Sequence, residues 1–189
     1  MDLNGSIFDG INDLAGHVAI LDRVMEWAAQ YAVFAIFAIV VASWFIRAGT
    51  GADRRMAVYT AAAAAVVGLV VTLAIQHVYF HPRPFVARTD YVLLVNHGAD
   101  TSFPSEHTTV AFGMATGIGM YRQRLGALLI ALAAATAFSR VFVGIHYPGD
   151  VAAGAAIGAL AAAAVWSVRG AFGWLDRNIV IRLVPAPLL

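Results

Sequence analysis

The chain has 189 residues, of which 61% are hydrophobic and only 12% charged, and its mean hydropathy is +0.77. A soluble domain of this length carries about a quarter charged residues, so the composition describes an integral membrane protein of one domain. All 12 basic residues are Arg and the net charge is +1, which gives no support for a nucleic-acid partner. The absence of Cys excludes disulfides and thiol chemistry.

In residues 3–25 the apolar side chains Leu3, Ile7, Ile11, Leu14, Val18, Leu21 and Met25 recur at steps of three and four, with Asp9, Asp13, His17 and Asp22 off the stripe. That period predicts an amphipathic helix lying on the membrane surface; a soluble helix packed on a loop is the alternative. The segment is acidic and lacks a positive leading region, so a cleavable signal peptide is not expected. Apolar spans follow at 26–46, 56–79, 105–121, 125–143 and 149–168, each near the roughly 20 residues that cross the hydrocarbon core, the third being short. Trp27, Trp44 and Trp166 fall near span ends, as in an aromatic belt. Residues 169–189 read as a tail whose apolar residues suit a surface helix ended by Pro185 and Pro187. The predicted fold is an all-α membrane protein, a bundle of about five transmembrane helices plus an N-terminal interfacial helix.

Arg47, Arg54 and Arg55 lie between spans one and two, Arg122 and Arg124 between three and four, and Arg169, Arg177 and Arg182 after five. Five spans put all three groups on one side, which the positive-inside rule makes cytoplasmic. Small-residue pairs, Gly113 with Gly117 and Gly154 with Gly158, let helices approach closely. They serve either packing within the chain or a homodimer, and packing is the expectation.

Three polar islands interrupt this pattern, all on the predicted outer side. Ionisable groups near a bilayer are costly and mark function. In the first, Arg83 stands between Pro82 and Pro84, a stiff extended exit from the second span that can hold a guanidinium ready for bidentate phosphate binding. An Arg snorkelling to headgroups is the competing reading. In the second, Pro104-Ser105-Glu106-His107, Ser105 is placed to cap the third span. Free N–H groups at that helix start suit an anion, and His107 is placed to protonate a leaving oxygen; an ordinary capping sequence competes. In the third, Arg140 precedes His146 by six residues and Asp150 follows it by four. Asp150 is then close enough to fix the His146 tautomer and leave its other nitrogen as a nucleophile; a structural Arg–Asp pair competes.

Taken in order, the islands resemble the three-part signature of the type 2 phosphatidic acid phosphatase superfamily: Lys, six residues, Arg-Pro; then Pro-Ser-Gly-His; then Ser-Arg, five residues, His, three residues, Asp. Ser139, Arg140, His146 and Asp150 match the third part at every defined position. Gln76 stands where the pattern has Lys, and Glu106 where it has Gly. The acid after Pro-Ser, the stretch 79–87 and the stretch 99–109 are similar to the bacitracin-resistance branch, the undecaprenyl-diphosphatases.

The resemblance implies that His146 attacks the terminal phosphorus to form a phosphohistidine, that Asp150 orients it, and that His107 protonates the leaving lipid phosphate. It also implies that Arg83, Arg140 and Ser105 bind phosphoryl oxygens, with Gln76 in the position of the missing cation. Glu106 would hold His107, bind a cation bridging a diphosphate, or tune lipid preference. The implied substrate is a polyprenyl diphosphate, recycled at the extracytoplasmic face of a bacterial plasma membrane among membrane lipids, with no metal or cofactor required. Other lipid phosphates or phosphate transfer would use the same site. A zinc hydrolase built on His107, His146, Asp150 and Glu106 lacks a His-Glu-x-x-His motif, and a transporter would place polar residues at mid-span. The apolar run Tyr91–Val95 is expected to fold beside the site, as a guide or lid for the lipid or as simple packing.

Overall fold

The computed structural model describes residues 3–46 and 51–180. Arg47 and Arg182, two of the basic residues used for orientation, lie outside these, as do Pro185 and Pro187. Every regular element among the described residues is helical: α1 (Leu3–Asn12), α2 (Ala19–Phe45), α3 (Gly51–Val78), α4 (Pro84–Ala87), α5 (Glu106–Gly119), α6 (Gln123–Phe142), α7 (Pro148–Ser167) and α8 (Arg169–Leu175), followed by a π-helical turn, Asp176–Val180. Helices α2, α3, α6 and α7 are long and apolar enough to cross a membrane. The third expected span is the shorter α5, 14 residues or about 21 Å at 1.5 Å per residue.

The short helix α5 sits at the centre, against α3, α6 and α7. Its neighbours can come close because glycines line the contacts. A Cβ on Gly117 would stand 2.7 Å from Ala61 Cα of α3, and one on Gly158 of α7 would overlap the Thr109 carbonyl of α5. Both small-residue pairs are therefore used inside the chain. Val33, Ile36, Val40, Ala57, Ala61, Met114, Ile118 and Leu129 fill the space between α2, α3, α5 and α6. Phe34, Phe37, Val66, Val70 and Leu160 point outward, as expected where lipid is the solvent.

The single helix expected over 3–25 is instead two. Residues 13–18 form a turn at Gly16, whose φ of +82° suits glycine and whose N–H donates to Asp22 Oδ1 at 3.0 Å. Residues 19–25 thus belong to the first spanning helix. In α1, Leu3 and Ile7 are exposed while Gly5, Phe8 and Asn12 face the protein, so the first part of the apolar stripe looks outward from the bundle and only Ile11 packs on it.

At one end of the bundle Arg55 Nε and Nη2 donate to the Asp176 carboxylate at 2.7 and 2.8 Å, Tyr59 Oη donates to it at 3.0 Å, and Arg122 Nη1 donates to the Ser43 carbonyl at 3.3 Å. This end holds the last turn of α2, the first turn of α3, the α5–α6 connection and α8. The three polar islands lie at the other.

Candidate active site

Each island is shaped by its local backbone. After α3 the chain runs extended through Pro82 and Arg83 (φ −67°, ψ 156°), and Pro84 opens the one-turn α4. Arg83 is 4% exposed, which removes the headgroup-snorkelling alternative. Its Nη1 donates to the Ile145 carbonyl at 2.9 Å and its Nε to Asp100 Oδ1 at 2.7 Å. The first island is stitched to the chain before α5 by Ser102 N–H donating to the His81 carbonyl at 2.7 Å.

The six-residue interval from Arg140 to His146 is one helix ending. Arg140 is on the last turn of α6, and Gly144 (φ +85°) reverses the chain. The N–H groups of Ile145 and His146 then return to the Arg140 carbonyl, each at 3.3 Å. A side chain at Gly144 would also overlap the Val92 carbonyl. Pro148 begins α7, and Asp150 Oδ2 in its first turn accepts from Tyr147 N–H at 2.8 Å.

His146 is the hub. Its Nε2 lies 3.2 Å from Arg83 Nη1 and 3.3 Å from Arg140 Nη2. Its Nδ1 is 2.9 Å from the Ser102 carbonyl oxygen, which can only accept, so Nδ1 carries the proton and Nε2 keeps its lone pair. Asp150 stands at 3.5 Å from Nδ1, farther than the direct bond its spacing predicts. Its Oδ2 accepts from the Ser102 hydroxyl, which itself lies 3.3 Å from Nδ1. Ser102 therefore bridges the pair. Burial holds the His146 imidazole well below its ordinary pKa, with Arg140 and Arg83 acting in the same direction, so the ring is neutral as a nucleophile must be.

A cleft opens onto this hub, lined by Gln76, Arg83, His97, Asp100, Glu106, His107, Arg140 and His146. Six of the eight expected site residues meet there. Asp150 and Ser105 stand behind the wall. Ser105 occupies the N-cap position of α5 but its hydroxyl caps nothing; it accepts instead from Thr108 Oγ1 at 3.1 Å. Gln76 Nε2 donates to the Pro104 carbonyl at 3.1 Å, so it braces the second island. Arg140 Nη1 donates to the Ala29 carbonyl of α2 at 3.0 Å.

Sequence reasoning missed Ser102, His97 and Asp100, which come from the 88–105 connection. Burial alone would raise the Asp100 carboxyl; the hydrogen bond and charge of Arg83 outweigh it and hold it below the usual range. The expected run Tyr91–Val95 packs on the bundle: Val95 is buried with Phe142, Val143 and Ile145, and Leu94 N–H donates to the Val143 carbonyl at 3.3 Å.

The chain is 39% identical over 149 residues to undecaprenyl-diphosphatase BcrC of Bacillus subtilis, covering 79% of this chain and 75% of that one. It is 34% identical over 161 residues to the bacitracin transport permease protein BcrC of Bacillus licheniformis, covering 85% and 78%. The crystal structure of LpxE from Aquifex aeolicus superposes with a TM-score of 0.75 at 24% identity, over 88% of this chain and 96% of that one. The model of the PAP2 superfamily matches residues 56–174, from α3 through α8 and so across all three islands. With all three islands inside the matched stretch, this multi-pass membrane protein belongs to the PAP2 superfamily.

Proposed function

We propose that the protein hydrolyses undecaprenyl diphosphate to undecaprenyl phosphate and inorganic phosphate at the extracytoplasmic face of the bacterial plasma membrane. This returns the carrier lipid to cell-wall synthesis and lowers bacitracin sensitivity. The observation that carries the chemistry is His146 Nε2, unprotonated and flanked at 3.2 and 3.3 Å by two guanidinium groups. The relatives' names support the substrate. So does an apolar surface depression of Val33, Phe34, Leu69 and Val110 that adjoins Glu106 and His107 and suits a hydrocarbon chain. The basic residues gathered at the opposite end support the sidedness.

In this reading Nε2 attacks the terminal phosphorus, the bond to the bridging oxygen breaks, and undecaprenyl phosphate departs with a proton from His107. Arg83 and Arg140 neutralise the equatorial oxygens as charge spreads over them. Ser102 and Asp150 keep the Nδ1 proton in place while the ring gains charge. A water deprotonated by His107 then attacks the phosphohistidine, the N–P bond breaks, and inorganic phosphate leaves. The ring of His107 makes no side-chain hydrogen bond among the described residues, so its nitrogens are open to substrate; the negative charge of the bound diphosphate favours the imidazolium that the first transfer requires, and the neutral ring it leaves is the base for the second. A zinc ion at His146 Nε2 is disfavoured by the Arg83 and Arg140 guanidinium groups that flank that atom.

The purified protein in detergent is expected to release phosphate from undecaprenyl diphosphate with EDTA present, and His146→Gln to abolish release while the fold persists. Retained turnover in His146→Gln would overturn the mechanism, and better turnover of phosphatidate would overturn the substrate.

A further inference from the structure

His97 is an ionisable ring on the wall of the cleft that the proposed reaction leaves unused. It lines the same cleft as Arg83, His107, Arg140 and His146. Its Nδ1 lies 3.1 Å from the Gly98 carbonyl oxygen, a contact that requires the proton on Nδ1, so Nε2 is the atom left for a ligand. Asp100 Oδ1 stands 3.6 Å from that Nδ1 and also accepts from Arg83 Nε at 2.7 Å. One carboxylate thus ties the ring to the guanidinium that serves the nucleophile.

The two arginines and His97 are not equivalent. Arg83 and Arg140 lie within 3.3 Å of His146 Nε2, so they hold the phosphoryl group being transferred. His97 makes no hydrogen bond to His146, and what it can meet is the rest of the headgroup. A terminal phosphate brings about two negative charges, which the two arginines match. The inner phosphate of a diphosphate adds a further charge, and Glu106 on the same wall adds another of the same sign. The inner phosphate therefore needs a cation that the arginines do not supply.

We propose that His97, as an imidazolium, donates from Nε2 to the inner phosphate and thereby makes this site prefer diphosphates to monophosphates. This rests on the substrate reading above. In the empty cleft burial lowers the pKa of His97, with Arg83 and Arg140 acting in the same direction and the Gly98 carbonyl and Asp100 opposing. An anion beside Nε2 favours the charged ring and reverses that balance.

The test compares the parent protein, His97→Ala and His97→Lys in detergent. Four quantities are measured: kcat/KM for undecaprenyl diphosphate, kcat/KM for phosphatidate, and inhibition by inorganic pyrophosphate and by inorganic phosphate. A charge-assisted hydrogen bond corresponds to about tenfold or more in affinity. His97→Ala should therefore cut kcat/KM for the diphosphate lipid by about tenfold, through KM, and weaken pyrophosphate inhibition alike. Phosphatidate turnover and phosphate inhibition should stay within about twofold, and His97→Lys should restore the diphosphate preference. Equal losses on both lipids, or an unchanged pyrophosphate-to-phosphate inhibition ratio in His97→Ala, would overturn the assignment. If the parent protein fails to hydrolyse undecaprenyl diphosphate, the substrate reading falls. The inhibition ratio then still decides His97: a ratio changed by His97→Ala supports its reading of a second phosphate, and an unchanged one refutes it.

Discussion

Asp150 and His146 are four residues apart, yet their side chains stand 3.5 Å from each other, and the contacts that fix the imidazole come from Ser102. The serine does two jobs with two groups: its carbonyl accepts the hydrogen bond from Nδ1–H, and its hydroxyl joins Asp150 to the ring. Only the second can be removed by substitution. Ser102→Ala should leave the tautomer intact and deprive Asp150 of a donor, so that the carboxylate no longer steadies the ring as it becomes positive. The expected result is a fall in kcat of about tenfold, a barrier change of about 1.4 kcal/mol, with KM nearly unchanged. Steady-state kinetics on a lipid diphosphate checks this; a change confined to KM would refute the positioning role. Spacing made Arg140, His146 and Asp150 readable because one helix ending and one helix start set their distances within a dozen residues. Ser102 was not readable, since it reaches the ring across 44 positions through the way the 88–105 connection folds back.

The helix that holds that connection is α1, with Asn12 as its clasp. Asn12 Nδ2 donates to the carbonyls of Val92 at 2.9 Å and Phe142 at 2.8 Å, and its Oδ1 accepts from Val92 N–H at 2.8 Å. Phe8 packs on Tyr147 with ring centroids 5.4 Å apart, and Asp9 pairs with Arg88 at 2.6 Å. One amide thus pins the ending of α6 and the strand-like chain that carries His97, Asp100 and Ser102. A periodic apolar stripe announced a helix here, but the functional face is the other one, and a single Asn at its end carries no periodic signal. Asn12→Ala should destabilise the protein by about 2–4 kcal/mol, because three backbone groups lose their partner and at least one stays buried. Thermal unfolding in detergent, together with earlier proteolysis in 88–105, measures it. Gly10→Ala is the matched control, since a Cβ there meets nothing within 4 Å. Equal stability of the two variants would remove the clasp.

Over the whole molecule, the two ends of the bundle divide the work. One end gathers Arg83, Arg140, His97, His107 and His146 around a cleft; the other holds the buried Arg55–Asp176 pair and the basic connections. Hydropathy legibly marked the long helices. It could not set the depth of α5, because that helix is enclosed by α3, α6 and α7 and need not match the bilayer's thickness. The distribution of arginine gives the orientation a direct test, helped by a chain with no Cys of its own. Gly98 beside the cleft and Gly170 at the far end both have open space where a Cβ would go, so Gly98→Cys and Gly170→Cys should each fold normally. In intact bacterial cells a membrane-impermeant maleimide should label Gly98→Cys. Gly170→Cys should react only after the membrane is made permeable, because the proposed orientation puts the end carrying Arg55, Arg122 and Arg169 in the cytoplasm. The reverse pattern would place the cleft in the cytoplasm and refute an extracytoplasmic site, and with it the recycling of lipid diphosphate released outside the cell.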